Sequence, residues 1–244
     1  MQFVDQKAQS FLKSLILPSL AVVALFIVFA VTNGGIHGVF AVNIIKENTV
    51  IIDPGHGGID GGASSSTGIL EKDLNLSFSL ELYEMLKQSG YNAIMTRETD
   101  ISLHESKYDT SSVRERKRSD LRTRHGIFNS NKNALVISIH MNKFPQSSVR
   151  GTQVFYSPTH QDSKIIAEKI QNTIKDRLQP DNKKVITTIP DSVFIFKDVS
   201  NPAVLIECGF LSNEGDLKSL SDTAYQKSFA EAVKSVVDEY YNGQ

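Results

Sequence analysis

Little in this sequence argues for a protein held by cross-links or organised by a charged surface. Of its 244 residues only Cys208 is a cysteine, which excludes an internal disulfide and leaves stability to an apolar core and to any bound metal. Neither sign of charge is in excess, with 26 basic against 27 acidic residues, so no global field steers the chain to nucleic acid. No Gly-x-Ser-x-Gly elbow occurs, which leaves a serine-hydrolase reading without a nucleophile. Internal repeats and low-complexity tracts are missing as well. The length suits one α/β domain and an appendage.

Long hydrophobic runs are also scarce, except for one. Leu15 to Val31 is almost wholly apolar, Lys7 and Lys13 precede it, and no Lys or Arg follows until Lys46. A positive front before an apolar stretch of this length implies export, with the body of the protein outside the cytoplasm. The run fits a membrane anchor, and Val39-Phe40-Ala41 equally offers a cleavage site for a signal peptidase. Residues 1–47 are therefore read as anchor or signal plus linker, and 48–244 as the folded domain.

That domain reads as α/β, a three-layer α/β/α arrangement with a mostly parallel twisted sheet. Val50 to Ile52 is a short β-branched run stopped by Asp53-Pro54-Gly55, as expected of a strand buried on both faces that ends in a turn. Leu74, Phe78, Leu82 and Met85 fall at helical spacing before Gly90, and Tyr91 to Thr96 is the next strand. Strand, helix and strand of these lengths form a βαβ unit. Arg97 to Ser112 is polar and long for a plain connection, a candidate flap. Val113 to Asn131 reads as a helix whose start carries Arg114, Arg116, Lys117 and Arg118, followed by Arg122 and Arg124. Such a run suits anionic polymer or lipid headgroups, although the default reading is a solvated face. Further strands are expected at Ala134–His140, Thr152–Tyr156, Val193–Phe196 and Ala203–Ile206. Helices are expected around Ile165, Ile166, Ile170 and Ile174, and around Tyr225, Phe229, Val233, Val236 and Tyr240.

The strand ends carry the chemistry. His56, His140 and Glu207 each follow an apolar strand, and Glu71 opens the first helix. Ligands of open α/β sheets bind at the carboxyl ends of the strands, so these four side chains converge on one crevice. Two histidines and one glutamate make a zinc shell with a fourth position open. Glu71, near His56 in sequence, is assigned to the metal. Glu207, at the end of an apolar strand where desolvation raises a carboxyl pKa, is assigned to proton transfer. Asn142 is a candidate substrate contact, with loop capping as the alternative. Cys208 is read as buried filler rather than as a ligand.

Asp53-Pro54-Gly55-His56-Gly57-Gly58, Glu71-Lys72-Asp73-Leu74-Asn75-Leu76, Ser138-Ile139-His140-Met141-Asn142 and Glu207-Cys208-Gly209-Phe210-Leu211-Ser212-Asn213 together resemble the signature blocks of the zinc-dependent N-acetylmuramoyl-L-alanine amidases of the amidase-3 family. Thr96-Arg97 and Leu121 to Asn129 also look like family positions. The resemblance runs from about Thr49 to the carboxyl terminus. It implies Zn2+ held by His56, Glu71 and His140, catalysis by Glu207, and hydrolysis of the bond between N-acetylmuramic acid and L-alanine. Met141 and Cys208 depart from the family pattern, and an altered pocket shape is expected there. A single domain behind one hydrophobic segment looks most like the sporulation members. That implies spore cortex peptidoglycan as substrate, with muramic-δ-lactam formed after the stem peptide is removed.

Three other readings compete. A zinc peptidase cutting within the stem peptide would use the same shell, and a non-catalytic wall-binding module would keep the fold. An enzyme that needs an activating protein partner to order its site is the third. No nucleic-acid partner is expected.

Overall fold

Val50, Ile51 and Ile52, all fully buried, form the centre of β1 (Lys46–Pro54) in a computed structural model that describes residues 46–243. Beside it lie β2 (Tyr91–Met95) and β3 (Leu135–Asn142), both parallel to it. β6 (Ala203–Phe210) pairs parallel with β3. β4 (Gln153–Tyr156) pairs antiparallel with β6, and the two-residue β5 (Thr187–Thr188) closes that edge. Among the described residues the strand order is β2-β1-β3-β6-β4-β5, a mostly parallel sheet as expected.

Strand alternation divides the core in two. Val50, Ile52, Leu135, Ile137, Ile139, Val204 and Ile206 face three helices, α1 (Glu71–Gln88), α3 (Gln161–Arg177) and α5 (Thr223–Asn242). Leu74, Phe78 and Leu82 of α1, Ile166, Ile170 and Ile174 of α3, and Phe229, Val233 and Val236 of α5 fill that layer. Each such side chain contributes about 1.5–3 kcal/mol when fully buried. Ile51, Val136, Ala203 and Leu205 face the other way, onto α2 (Val113–Ser130) and a 3-10 turn at Phe194–Phe196. Helices thus cover both faces.

α2 is an unusual cover because its inward residues are largely polar. Ser112 and Glu115 start it with a capping box, and Ser119, Asp120, Arg124 and Phe128 are its buried residues. The reason lies beneath it. Asp53 of β1 is wholly buried and accepts from Thr96 Oγ1 at 2.7 Å and Ser138 Oγ at 2.7 Å. Arg124 donates to the same carboxylate, to Asp120, to the Pro54 carbonyl and to the His56 carbonyl. Burial works against the charge on Asp53, but Arg124 and the two hydroxyls outweigh it and hold the carboxyl below its ordinary range.

Several expectations need correction. Val193–Phe196 is not a strand: its amides close successive turns, Val193 N on the Pro190 carbonyl at 2.9 Å and Phe196 N on the Val193 carbonyl at 3.2 Å, and the Phe196 ring packs tilted against Phe128 at 5.4 Å. The helix expected around Ile165 to Ile174 is present as α3, with Ile166, Ile170 and Ile174 turned inward and Ile165 51% exposed. Residues 97–112 are tethered rather than a loose flap. Arg97 is buried, Leu103 N donates to Asp120 at 2.6 Å, and Glu105 N donates to Ser119 at 3.1 Å. Within the basic run, Arg124 is core rather than solvated face. A short helix, α4 (Glu214–Leu220), was not anticipated, although Asn213 caps it by accepting from Asp216 N. The apolar run Leu15 to Val31 lies outside the described residues, and among those that are described no helix is long and apolar enough to cross a membrane.

Removing one partner of a buried pair strands the other charge. Arg124→Met should therefore lower the unfolding free energy by about 3–5 kcal/mol, read by urea denaturation at neutral pH. The sign with pH follows from the depressed Asp53 carboxyl. Its contribution is present above the unfolded carboxylate pKa of about 3.9 and is lost as pH falls through the lower folded value. Acid should accordingly destabilise the wild type more steeply than Arg124→Met.

Candidate active site

β1 stops at Pro54, and Gly55 N makes one last bond to the Ile139 carbonyl at 3.0 Å. The chain then turns sharply. His56 takes the left-handed conformation at φ 62°, uncommon for a residue with a Cβ. Gly57 and Asp60 exchange backbone hydrogen bonds at 2.9 and 3.1 Å, which closes the turn. Neighbouring segments clamp it: Lys72 Nζ donates to the Gly58 carbonyl at 2.9 Å and to Asp100 at 2.6 Å, while Gly58 N donates to Asp100 at 2.7 Å.

Glu71 is the first residue of α1, where the helix N-terminus favours a carboxylate. Its Oε1 lies 2.9 Å from His140 Nδ1 and 3.1 Å from His56 Nε2. Asn75 Nδ2 and Met141 N reach the same oxygen, each at 3.3 Å, and Ala63 N donates to Oε2 at 2.8 Å. Ligand atoms of His56, Glu71 and His140 all lie within 4.8 Å of one another, and the two imidazoles meet edge to face at 5.1 Å. The sequence-predicted trio is thus brought together by three different elements. Among the described residues it is the one group of this kind with metal-holding spacing.

His140 and Glu207 are not the last residues of their strands, since β3 runs on to Asn142 and β6 to Phe210. They are register partners across the parallel β3–β6 pair, so their side chains leave the sheet side by side on one face. That face carries Ser138 and Asp53 further down, and Val136 and Leu205 below those. Glu207 is part-exposed as a residue, yet its Oε2 is shut from solvent and has no hydrogen-bond partner. Burial pushes its carboxyl up to about 7; His140 opposes the rise and Glu71 adds to it.

The neighbours are tuned the other way. Burial disfavours a charged His56, but Asp60 and Glu71 outweigh it and lift the imidazole to about 9. For Glu71 burial is likewise overcome, here by His140 and His56, and the carboxyl sits below its usual range. A carboxylate that stays ionised beside one that holds its proton near neutrality is the pattern of a site with separated acid–base roles. The donor set also fits a divalent metal, because two imidazoles and a carboxylate satisfy zinc with one position to spare.

The remaining predicted residues divide. Asn142 Oδ1 accepts from Lys143 N at 2.7 Å and its carbonyl accepts from Leu211 N at 2.8 Å, so its acceptors serve local capping. Met141 and Cys208 pack into the core under the helices, on the sheet face opposite His140 and Glu207. Their departures from pattern bear on core packing rather than on the crevice that holds the four site residues. Asp60, Asn75 and Gly62 were given no role, and Arg97 was marked only through the family resemblance. The i, i+4 spacing of Glu71 and Asn75 could have flagged Asn75, but no local pattern shows that Arg97 reaches the Pro54 and Gly55 carbonyls. A cavity of about 820 Å³ opens at the β4 edge between Arg150, Lys184, Asp216 and Tyr225, and it includes none of the four site residues.

One glycine is indispensable by contact. A Cβ on Gly55 would sit 2.2 Å from both Cε1 and Nε2 of His140, so any side chain there displaces the ring. Gly55→Ala should reduce turnover by about 100-fold while leaving the far-ultraviolet circular dichroism unchanged; wild-type turnover would refute the contact.

A protein-family model described as N-acetylmuramoyl-L-alanine amidase matches residues 50–239. The chain is 33% identical over 197 residues to the germination-specific N-acetylmuramoyl-L-alanine amidase of Bacillus subtilis, covering 81% of each. Among solved structures it is similar to the CwlD amidase of Clostridioides difficile in complex with the GerS lipoprotein, at 38% identity and a TM-score of 0.77 over 81% of this chain and 100% of that one. An N-acetylmuramoyl-L-alanine amidase from Clostridium difficile 630 is similar at 28% identity and a TM-score of 0.69, over 81% of this chain and 98% of that one. With a family model spanning most of its length and its site residues at the carboxyl end of a matching sheet, the chain belongs to the N-acetylmuramoyl-L-alanine amidases.

Proposed function

We propose that the chain uses zinc to hydrolyse the amide between the lactyl group of N-acetylmuramic acid and L-alanine, with His56, Glu71 and His140 holding the metal and Glu207 moving the proton. The observation that carries this reading is the solvent-shielded, unpartnered Oε2 of Glu207 beside a two-histidine, one-carboxylate cluster. Zinc bound there supplies Lewis acidity to the scissile carbonyl and acidifies water. Glu207, with a carboxyl near 7, accepts the proton of the attacking water and hands it to the departing alanine nitrogen. The side-chain amide nitrogen of Asn142 donates to the substrate.

The relatives and the amino-terminal sequence support a reading of the setting. We infer action outside the cytoplasm, with Leu15 to Val31 serving as anchor or signal. The Bacillus relative is named germination-specific, which supports spore cortex peptidoglycan as the substrate and muramic-δ-lactam as the later product. The Clostridioides relative is seen with a lipoprotein, and a protein partner that helps to order the site belongs to the proposal.

The test is a digest of purified peptidoglycan by the full-length chain with and without zinc, products read by mass spectrometry. Free stem peptides beginning at L-alanine, on intact glycan and only with zinc, are expected. Cuts within the stem peptide would replace the amidase by a peptidase. Glu207→Ala should keep its zinc and lose about 10²–10⁴-fold in turnover, whereas His140→Ala should lose both metal and activity. Because Glu207 must be ionised to act, kcat/KM of the wild type should fall on the acid side of about pH 7; a bound cation moves that limb lower.

A further inference from the structure

The cations at the start of α2 are mostly surface groups, and Arg114, Arg118 and Arg122 are exposed. Lys117 differs. Its Nζ lies 2.7 Å from Asp60 Oδ1, and Asp60 Oδ2 lies 3.0 Å from His56 Nδ1. The opposite nitrogen of that ring, Nε2, is the one that faces Glu71 Oε1 at 3.1 Å. A continuous chain of polar contacts therefore runs from the basic helix through Asp60 and His56 to Glu71. Asp60 is itself placed by the turn it closes with Gly57 and by Gly62 N, which donates to Oδ1 at 3.3 Å.

We propose that Asp60 is the positioning residue for His56, and that Lys117 holds Asp60 in that role from α2. A neutral imidazole has one N–H and one lone pair, and only the nitrogen without the proton can bind a metal. A carboxylate on Nδ1 keeps the proton there, leaves Nε2 as the basic nitrogen aimed at Glu71, and fixes the plane of the ring. The two histidines need different support. His140 leaves a strand and packs on Gly55, so its ring is held by contact. His56 sits in a left-handed turn where strained backbone persists only if its surroundings over-determine it. Asp60 supplies that determination. Lys117 is 45% exposed, so its pair is weak alone and its influence passes through Asp60.

This inference rests on the reading of His56, Glu71 and His140 as the metal shell, and His56→Ala serves as its reference. The full-length protein is stripped with a chelator, and its zinc affinity is measured by competition with a chromophoric chelator near neutral pH. Asp60→Ala should weaken zinc binding by about 10–100-fold, with the melting temperature of the metal-free protein unchanged. Asp60→Asn, whose amide oxygen still accepts from Nδ1, should recover most of that loss. Lys117→Ala should cost about 2–5-fold alone and nothing further in the Asp60→Ala background. Wild-type affinity in Asp60→Ala would overturn the role of Asp60, and full additivity would overturn that of Lys117. If Asp60→Ala fails to fold, Asp60→Asn decides: near-wild-type affinity supports the role, and a loss equal to that of His56→Ala ends it. Wild-type affinity in His56→Ala itself would instead refute the metal shell.

Discussion

Three consecutive carbonyls, of Pro54, Gly55 and His56, lie where β1 leaves the sheet, and two arginines answer them. Arg97 Nε donates to Pro54 O at 3.0 Å, and its Nη2 donates to Gly55 O and Lys72 O, both at 2.9 Å. Arg124 takes Pro54 O and His56 O. A buried carbonyl without a donor costs about 1–3 kcal/mol, so an abrupt strand end deep in a protein is unstable without such groups. The guanidinium fork holds five donors in one rigid plane, so it answers several carbonyls at fixed spacing. The negative charges on Asp53 and Asp120 then keep Arg124 from being an isolated buried cation. Everything at the site depends on this arrangement, because it lets His56 stand out of the sheet on a turn with a single geometry.

From that fixed turn the electrostatics follow. Glu71, at the start of α1, gathers several donors on one oxygen, while Glu207 on β6 has an oxygen with none. The contrast is produced by backbone placement. Glu71 lies in the first turn of a helix, at its positive end, whereas Glu207 rises from the middle of an apolar strand. Two residues of one type acquire opposite protonation habits without any difference in their own chemistry.

Much of this was legible in the chain itself. Apolar runs and helical spacing located the parallel strands and the helices α1, α3 and α5, because those elements bury strongly patterned faces. His56, Glu71, His140 and Glu207 stood out since each interrupts or ends such a pattern. What was hidden depends on distant pairing. Arg124 looks like its solvated neighbours until Asp53 is placed beneath it. Asp60 and Lys117 are far apart in sequence and meet only when α2 crosses the His56 turn. The antiparallel direction of β4 and the tethering of residues 97–112 are likewise set by partners that no local window contains. Val193–Phe196 misled because a short apolar run has no period to read.

The pairing of His140 with Glu207 in adjacent parallel strands has a consequence of scale. Their separation at the backbone is the interstrand spacing of a β-sheet, about 4.8 Å, a length set by peptide hydrogen bonds and common to all such sheets. Side-chain substitution can alter the polarity around the two groups but not that distance. A one-residue slip of β6 would send Glu207 through to the opposite face of the sheet. Variation in this enzyme is therefore confined to the medium between His140 and Glu207, with the ruler between them written into the main chain.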